Sequence, residues 1–212
     1  MGYSKNDYKR LKESFRAALI DESGQPLSCQ LHEHRGATGR ISLFSASGDE
    51  IASHVAEACN IADVISSIDR LLKIPRSEIA CEELSETLLL RFDVLREYIY
   101  AAFKLSPQNE YKESNSDLII RRWAGFLKHP SEYVFAHRCL SSWNIDFEEP
   151  PICIDTNFLA QWDGLKPKEK DRKKAALANK VVLVEIPPIS DIEPFFLSCA
   201  DHLKSLLGRP HS

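Results

Sequence analysis

No P-loop, GxGxxG, GxSxG or HExxH occurs anywhere in this sequence. Nucleotide-dependent and hydride-transfer chemistry therefore find no support in it. No apolar run approaches the roughly 20 residues that a bilayer span requires. The longest, residues 181–189, is interrupted by Glu185 and a Pro-Pro pair. Residues 1–16 are polar and basic with no apolar h-region, so no secretory signal is expected. CxxC pairs are also missing, and Cys29, Cys59, Cys81, Cys139, Cys153 and Cys199 are scattered. These absences together predict a cytoplasmic protein with reduced, mostly buried thiols. Internal repeats and low-complexity tracts are absent as well.

What is present is globular. Of 212 residues, 43% are hydrophobic and 27% charged, which excludes disordered and fibrous classes. A chain of this length buries roughly 70% of its unfolded surface, enough for a core without staples. The net charge is −4 and the pI about 6.0, so the overall balance does not imply nucleic acid and leaves only a local basic patch to argue from.

Apolar periodicity predicts a mostly α protein: an antiparallel helical bundle with a small β-sheet or ribbon from the C-terminal third. The expected organisation is a single unit over 1–212, with a bundle core at about 48–130, a β-containing appendage at about 131–190 and a C-terminal helix. Helices are predicted over 4–20, 50–73, 78–104, 117–128 and 192–207, each with apolar residues three and four apart. Proline at 75 ends the second of these, and the short 74–76 link makes the second and third helices an antiparallel hairpin. Residues 41–44, 133–136, 152–154 and 181–184 are the strand candidates. Trp162-Asp163-Gly164 reads as a turn, and the charged 166–180 stretch as helical towards its end.

The segment richest in chemistry is Arg121-Arg122-Trp123-Ala124-Gly125-Phe126-Leu127-Lys128-His129-Pro130. Seven steps of 100° put Arg122 and His129 nearly on one helix face, roughly 10 Å apart along the axis. An arginine and a histidine separated by six residues at the end of a bundle helix resemble the signature of the HEPN family. Members of that family are helical bundles, many of them RNA-cleaving toxins in prokaryotic defence and toxin–antitoxin systems. The resemblance covers about residues 50–130. It implies a metal-independent endoribonuclease, or an inactive relative, acting as a homodimer in which two motifs meet. It also implies RNA as substrate and a protein partner such as an antitoxin. His129 would transfer protons and Arg122 would fork onto phosphate. Side chains lean towards the helix N-terminus, so Arg122 leans away from His129, and a site shared between subunits fits better than an intramolecular one. The bland alternative is a surface cation followed by a C-terminal histidine that the helix dipole favours.

Three weaker readings stand beside it. Lys166, Lys168, Lys170, Arg172, Lys173, Lys174 and Lys180, against Glu169 and Asp171, form a local positive patch. With Arg121 it suits a phosphate backbone, or is simply a solvated face. Cys29, His32 and His34, with His137 and Cys139 in a similar alternation, have ligating side chains but lack paired zinc spacing, so no metal or cofactor is expected. Finally, the long seam helices suit a non-enzymatic helical module that docks a protein partner.

Overall fold

The computed structural model describes residues 3–31, 40–74, 78–105, 110–129, 137–140, 151–178 and 180–207. Helix α1 (Lys5–Leu19) opens with a capping box, in which Ser4 Oγ accepts from the Asp7 amide and Asp7 accepts from the Ser4 amide. Tyr8, Leu11, Phe15 and Leu19 form its buried stripe. A short 3-10 turn (Leu27–Gln30) follows, then the strands β1 (Arg40–Phe44) and β2 (Glu50–Val55). The bundle continues with α2 (Ala56–Leu71), α3 (Glu78–Lys104) and α4 (Asn115–Lys128). The C-terminal part reads β3 (His137–Leu140), β4 (Ile152–Ile154), α5 (Thr156–Gly164), α6 (Pro167–Leu177), β5 (Val181–Val184) and α7 (Ile189–Leu207). The fold is mostly α with small β elements, as the periodicity predicts.

Helix α4 sits at the centre, packed against α3, α5 and α7. Trp123 anchors it, fully buried, with its indole N–H donating to Thr156 Oγ1 at 3.1 Å. Beneath α7, Phe92 meets Phe195 and Phe196, and Phe196 meets Phe15, with ring centroids 5.1–6.0 Å apart. One connected set of buried side chains thus runs from Tyr3 to Leu206. Helices α2 and α3 pack on each other as their short link demands, with Ile65 and Leu88 fully buried. Pro75 lies outside the described residues.

The prediction of one helix over 50–73 fails at its start, because residues 50–55 are the strand β2. It pairs antiparallel with β1. Ile51 and Val55 are four residues apart, a step that satisfies both a helical turn and the two-residue period of a strand. What decides is the partner: β1 lies just upstream, joined by a turn in which Gly48 takes φ 89° and donates to the Ser45 carbonyl at 3.0 Å. The β structure is therefore not confined to the C-terminal third.

The C-terminal sheet is parallel throughout, in the order β3-β5-β4, with Val182 and Val184 of the central strand fully buried. Parallel neighbours need a long crossover, and α5 with α6 provides it between β4 and β5. Here two more expectations fall. Trp162-Asp163-Gly164 is the last turn of α5 and not a loop: Asp155 caps that helix by accepting from the Phe158 amide at 2.7 Å, and Phe158, Leu159 and Trp162 bury its inner face. The charged stretch is helical from Pro167 onward, started by proline in the first turn and by Glu169 accepting from the Lys166 amide. Residues 133–136 lie outside the described residues; the neighbouring strand is β3.

Candidate functional site

Helix α4 holds Arg121, Arg122 and Lys128, and His129 is its C-cap. Ser114 and Asp117 form the capping box at the other end. The apolar face of Ile119, Ile120, Trp123 and Phe126 is buried, so the cations are pushed to the flanks. Arg121 bonds Glu113 through Nη1 at 3.0 Å. Arg122 donates from Nε to Asp163 Oδ2 of α5 at 2.9 Å, with side chains 19% and 36% exposed. Lys128 reaches Asp93 of α3 at 2.7 Å. His129 is exposed, and its amide closes the helix on the Gly125 carbonyl at 3.0 Å.

The tertiary structure joins two groups that lie about 45 residues apart in sequence. Asp163 ties Arg122 to α5, and α6 folds back on α5. Lys173 Nζ lies 4.4 Å from the Phe158 ring centroid, and Lys170 Nζ lies 5.9 Å from that of Trp162. Lys168 and Arg172 are exposed on the same helix, and Lys174 is half-buried. Arg122 and the basic stretch thus both contact α5, Arg122 at Asp163 and the lysines at Trp162 and Phe158. Arg121 bonds Glu113, on the segment before α4.

Sequence reasoning passed over a charge network beneath this helix. Arg96 is only 5% exposed and bonds Asp93 through Nε at 3.1 Å and Nη2 at 3.0 Å, with Glu97 as a further partner. Burial opposes the Arg96 charge, but Asp93 and Glu97 outweigh it and raise its pKa. Asp93 is shared with Lys128, and Arg96 lies 3.8 Å from Glu113. The signal was available: an Asp and an Arg three apart, inside the otherwise apolar helical stripe that includes Leu88, Phe92, Leu95 and Ile99.

A groove of about 700 Å³ opens at the opposite end of α4, between Ser114–Ser116, Phe103 and the outer face of α7. It is a full helix length, roughly 20 Å, from His129. Behind its wall lies Asp117, fully buried, accepting from the Ser114 amide at 2.7 Å and the Ser198 hydroxyl at 3.2 Å. Its other oxygen has no hydrogen-bond partner. Burial raises the pKa of the nearby Tyr111, and the Asp117 charge raises it further.

Cys29 sits on the 3-10 turn packed against α2, while His32 and His34 lie outside the described residues. Burial raises the Cys29 pKa, with Cys59 adding to it. Among the described residues no group of three or more His, Cys, Asp or Glu side chains is placed to hold a metal ion. Cys29, Cys59, Cys153 and Cys199 are in no disulfide, and burial with Glu185 pushes the Cys153 pKa up to about 12. No described helix is long and apolar enough to cross a membrane. No family model matches the chain, and no curated protein or solved structure matches it either.

Proposed function

We propose that the chain is a HEPN-like, metal-independent endoribonuclease, or a catalytically inactive relative that still binds RNA. The observation that carries this reading is the junction of Arg122 with the basic helix α6 through α5. A phosphate backbone lying along α6 meets Lys168 and Arg172 and ends beside Arg122. The bond to Asp163 uses Nε alone, and among the described residues the two terminal amino groups of Arg122 have no other bond. Those groups suit the forked recognition of a phosphate. His129, exposed at the helix end, takes the 2′-hydroxyl proton as the 2′-oxygen attacks phosphorus. The P–O5′ bond breaks, and a second histidine, from the other subunit of a homodimer, returns a proton to O5′. Two copies of the motif supply one base, one acid and two cations.

A second reading, the non-enzymatic helical module, is favoured by one specific fact. Arg121, Arg122 and Lys128 each already have a carboxylate, as structural cations do. A cleavage assay on single-stranded RNA with EDTA present separates the two. His129→Ala is expected to lower cleavage about 10²–10⁴-fold with binding retained. Lys168→Glu with Arg172→Glu is expected to weaken binding and reduce its salt slope by about 2. Binding without cleavage would point to the inactive relative. A wild type that neither binds nor cuts RNA sinks the nuclease reading and leaves the module.

A further inference from the structure

We propose that the groove beside the N-terminus of α4 docks an extended, basic peptide segment of a protein partner, in which a lysine or arginine neighbours an aliphatic side chain. The groove has an apolar floor and an acidic rim. Phe103, Ile119, Pro194 and Leu197 supply the floor, and Leu197 is 61% exposed, the second most exposed of the large hydrophobic residues described. So large an apolar side chain left in water beside a concave surface fits an aliphatic group arriving from outside. Glu110, Asp191 and Asp201 line the rim against a single lysine, Lys112. The positive ends of the two helices that meet here do not reverse this balance, because Asp117 occupies the first turn of α4 and Asp191 that of α7. Asp117 adds a fully buried carboxylate behind the wall, with no ion pair among the described residues. The charge complement is a cation.

Backbone groups decide in favour of a peptide over a simple amine. Pro194 lies inside α7 and has no N–H, so the Ser190 carbonyl loses its donor one turn ahead. Ser190 and Pro194 both line the groove. On the facing wall, the first amides of α4, at Asn115 and Ser116, have no acceptor within the helix. The residues that carry these open backbone groups, Ser190 on one wall and Asn115 and Ser116 on the other, all line the groove. An extended peptide has the matching N–H and C=O groups, whereas a polyamine carries donors only. The proposal is independent of the RNA surface, which lies at the other end of α4.

The test is fluorescence anisotropy with a labelled octapeptide of alternating leucine and lysine, run against its leucine–glutamate counterpart. Amide chemical shifts on the protein locate the bound peptide. The lysine peptide is expected to bind and to shift resonances within residues 110–119 and 189–205. Asp201→Lys is expected to weaken it about three- to fivefold, and Leu197→Ser about tenfold. Arg122→Ala is expected to leave it unchanged. The proposal is overturned if the glutamate peptide binds as well, if the shifts map to α6, or if neither rim nor floor variant alters affinity. Displacement by spermidine at concentrations equal to the peptide's would assign the groove to a small amine. A dimer that Leu197→Ser dissociates in sedimentation would assign it to a second copy of the chain.

Discussion

The two ends of α4 handle charge in opposite ways. Towards the C-terminal end Arg122 bonds Asp163 and Lys128 bonds the Asp93 it shares with Arg96, while Arg121 reaches back to Glu113. At the N-terminal end the excess is acidic, and the buried Asp117 is satisfied by an amide and a hydroxyl with one oxygen left over. One end is settled within the molecule. The other leaves one Asp117 oxygen without a hydrogen bond and three carboxylates along a groove. A helix dipole alone would put anions at the N-terminus and cations at the C-terminus, and both ends obey that rule. What differs is whether a counter-charge stands among the described residues.

The largest expected effect removes the support common to both ends. Trp123→Ala should cost about 3–5 kcal/mol in denaturant unfolding, because the side chain is fully buried and its N–H is bonded to Thr156. A cost below about 1 kcal/mol would mean that α4 is not the central element. The direct contrast comes next. Asp93→Ala takes its two hydrogen bonds from the buried Arg96, leaving it only Glu97 and the more distant Glu113, and should cost about 1.5–3 kcal/mol. Asp117→Asn, which strands no cation and keeps the cap acceptor, should stay within about 1 kcal/mol. Equal losses at the two sites would erase the distinction between a settled and an unsettled end.

Smaller effects sharpen the picture. Asp163→Asn breaks a partly exposed pair and should change stability by about 0–1 kcal/mol. It should also strengthen RNA binding, since it releases the remaining bond on Arg122. Unchanged RNA affinity would mean that Arg122 serves only to hold α5. The smallest effect is a pH reference away from both ends. Burial alone would raise the Asp69 pKa, but Lys73 and Arg16 outweigh it and hold it below the usual carboxylate range. A depressed folded pKa means stability that is present above the ordinary carboxylate pKa of about 4 and lost as pH falls through the lower folded value. Arg16→Ala should therefore flatten the acid limb of the melting-temperature profile, and an unchanged limb would remove Asp69 from the account.

Much of the helical framework was legible in the sequence. The stripes Tyr8–Leu11–Phe15–Leu19 and Leu88–Phe92–Leu95–Ile99 are long enough for the 3.6-residue period to be unambiguous, and both are buried. Ile152–Ile154 and Val181–Val184 were legible as strands because most of their apolar residues are β-branched and Pro-rich or polar segments bound them. The start of the 50–73 helix was misread because a four-residue step between two apolar residues is ambiguous, and α5 was missed because its nine residues carry too little periodic signal. At the candidate site, Arg122 and His129 could be singled out from spacing on one helix, a local property.

Sequence by itself determined which residues have the chemistry and which faces must be hidden, because burial follows from apolar pattern and turn chemistry within a few residues. Only the tertiary structure decided which charges meet. The pairing of Arg122 with Asp163, the pairing of Lys128 with Asp93, and the packing of α4 on α7 each span more than 30 residues of sequence. No local period encodes them. They arise because packing the apolar faces of α3, α4, α5 and α7 brings the polar flanks of those helices within hydrogen-bonding reach, and because one flank of α4, at Ser114–Ser116, is left beside a groove that no described segment of the chain fills.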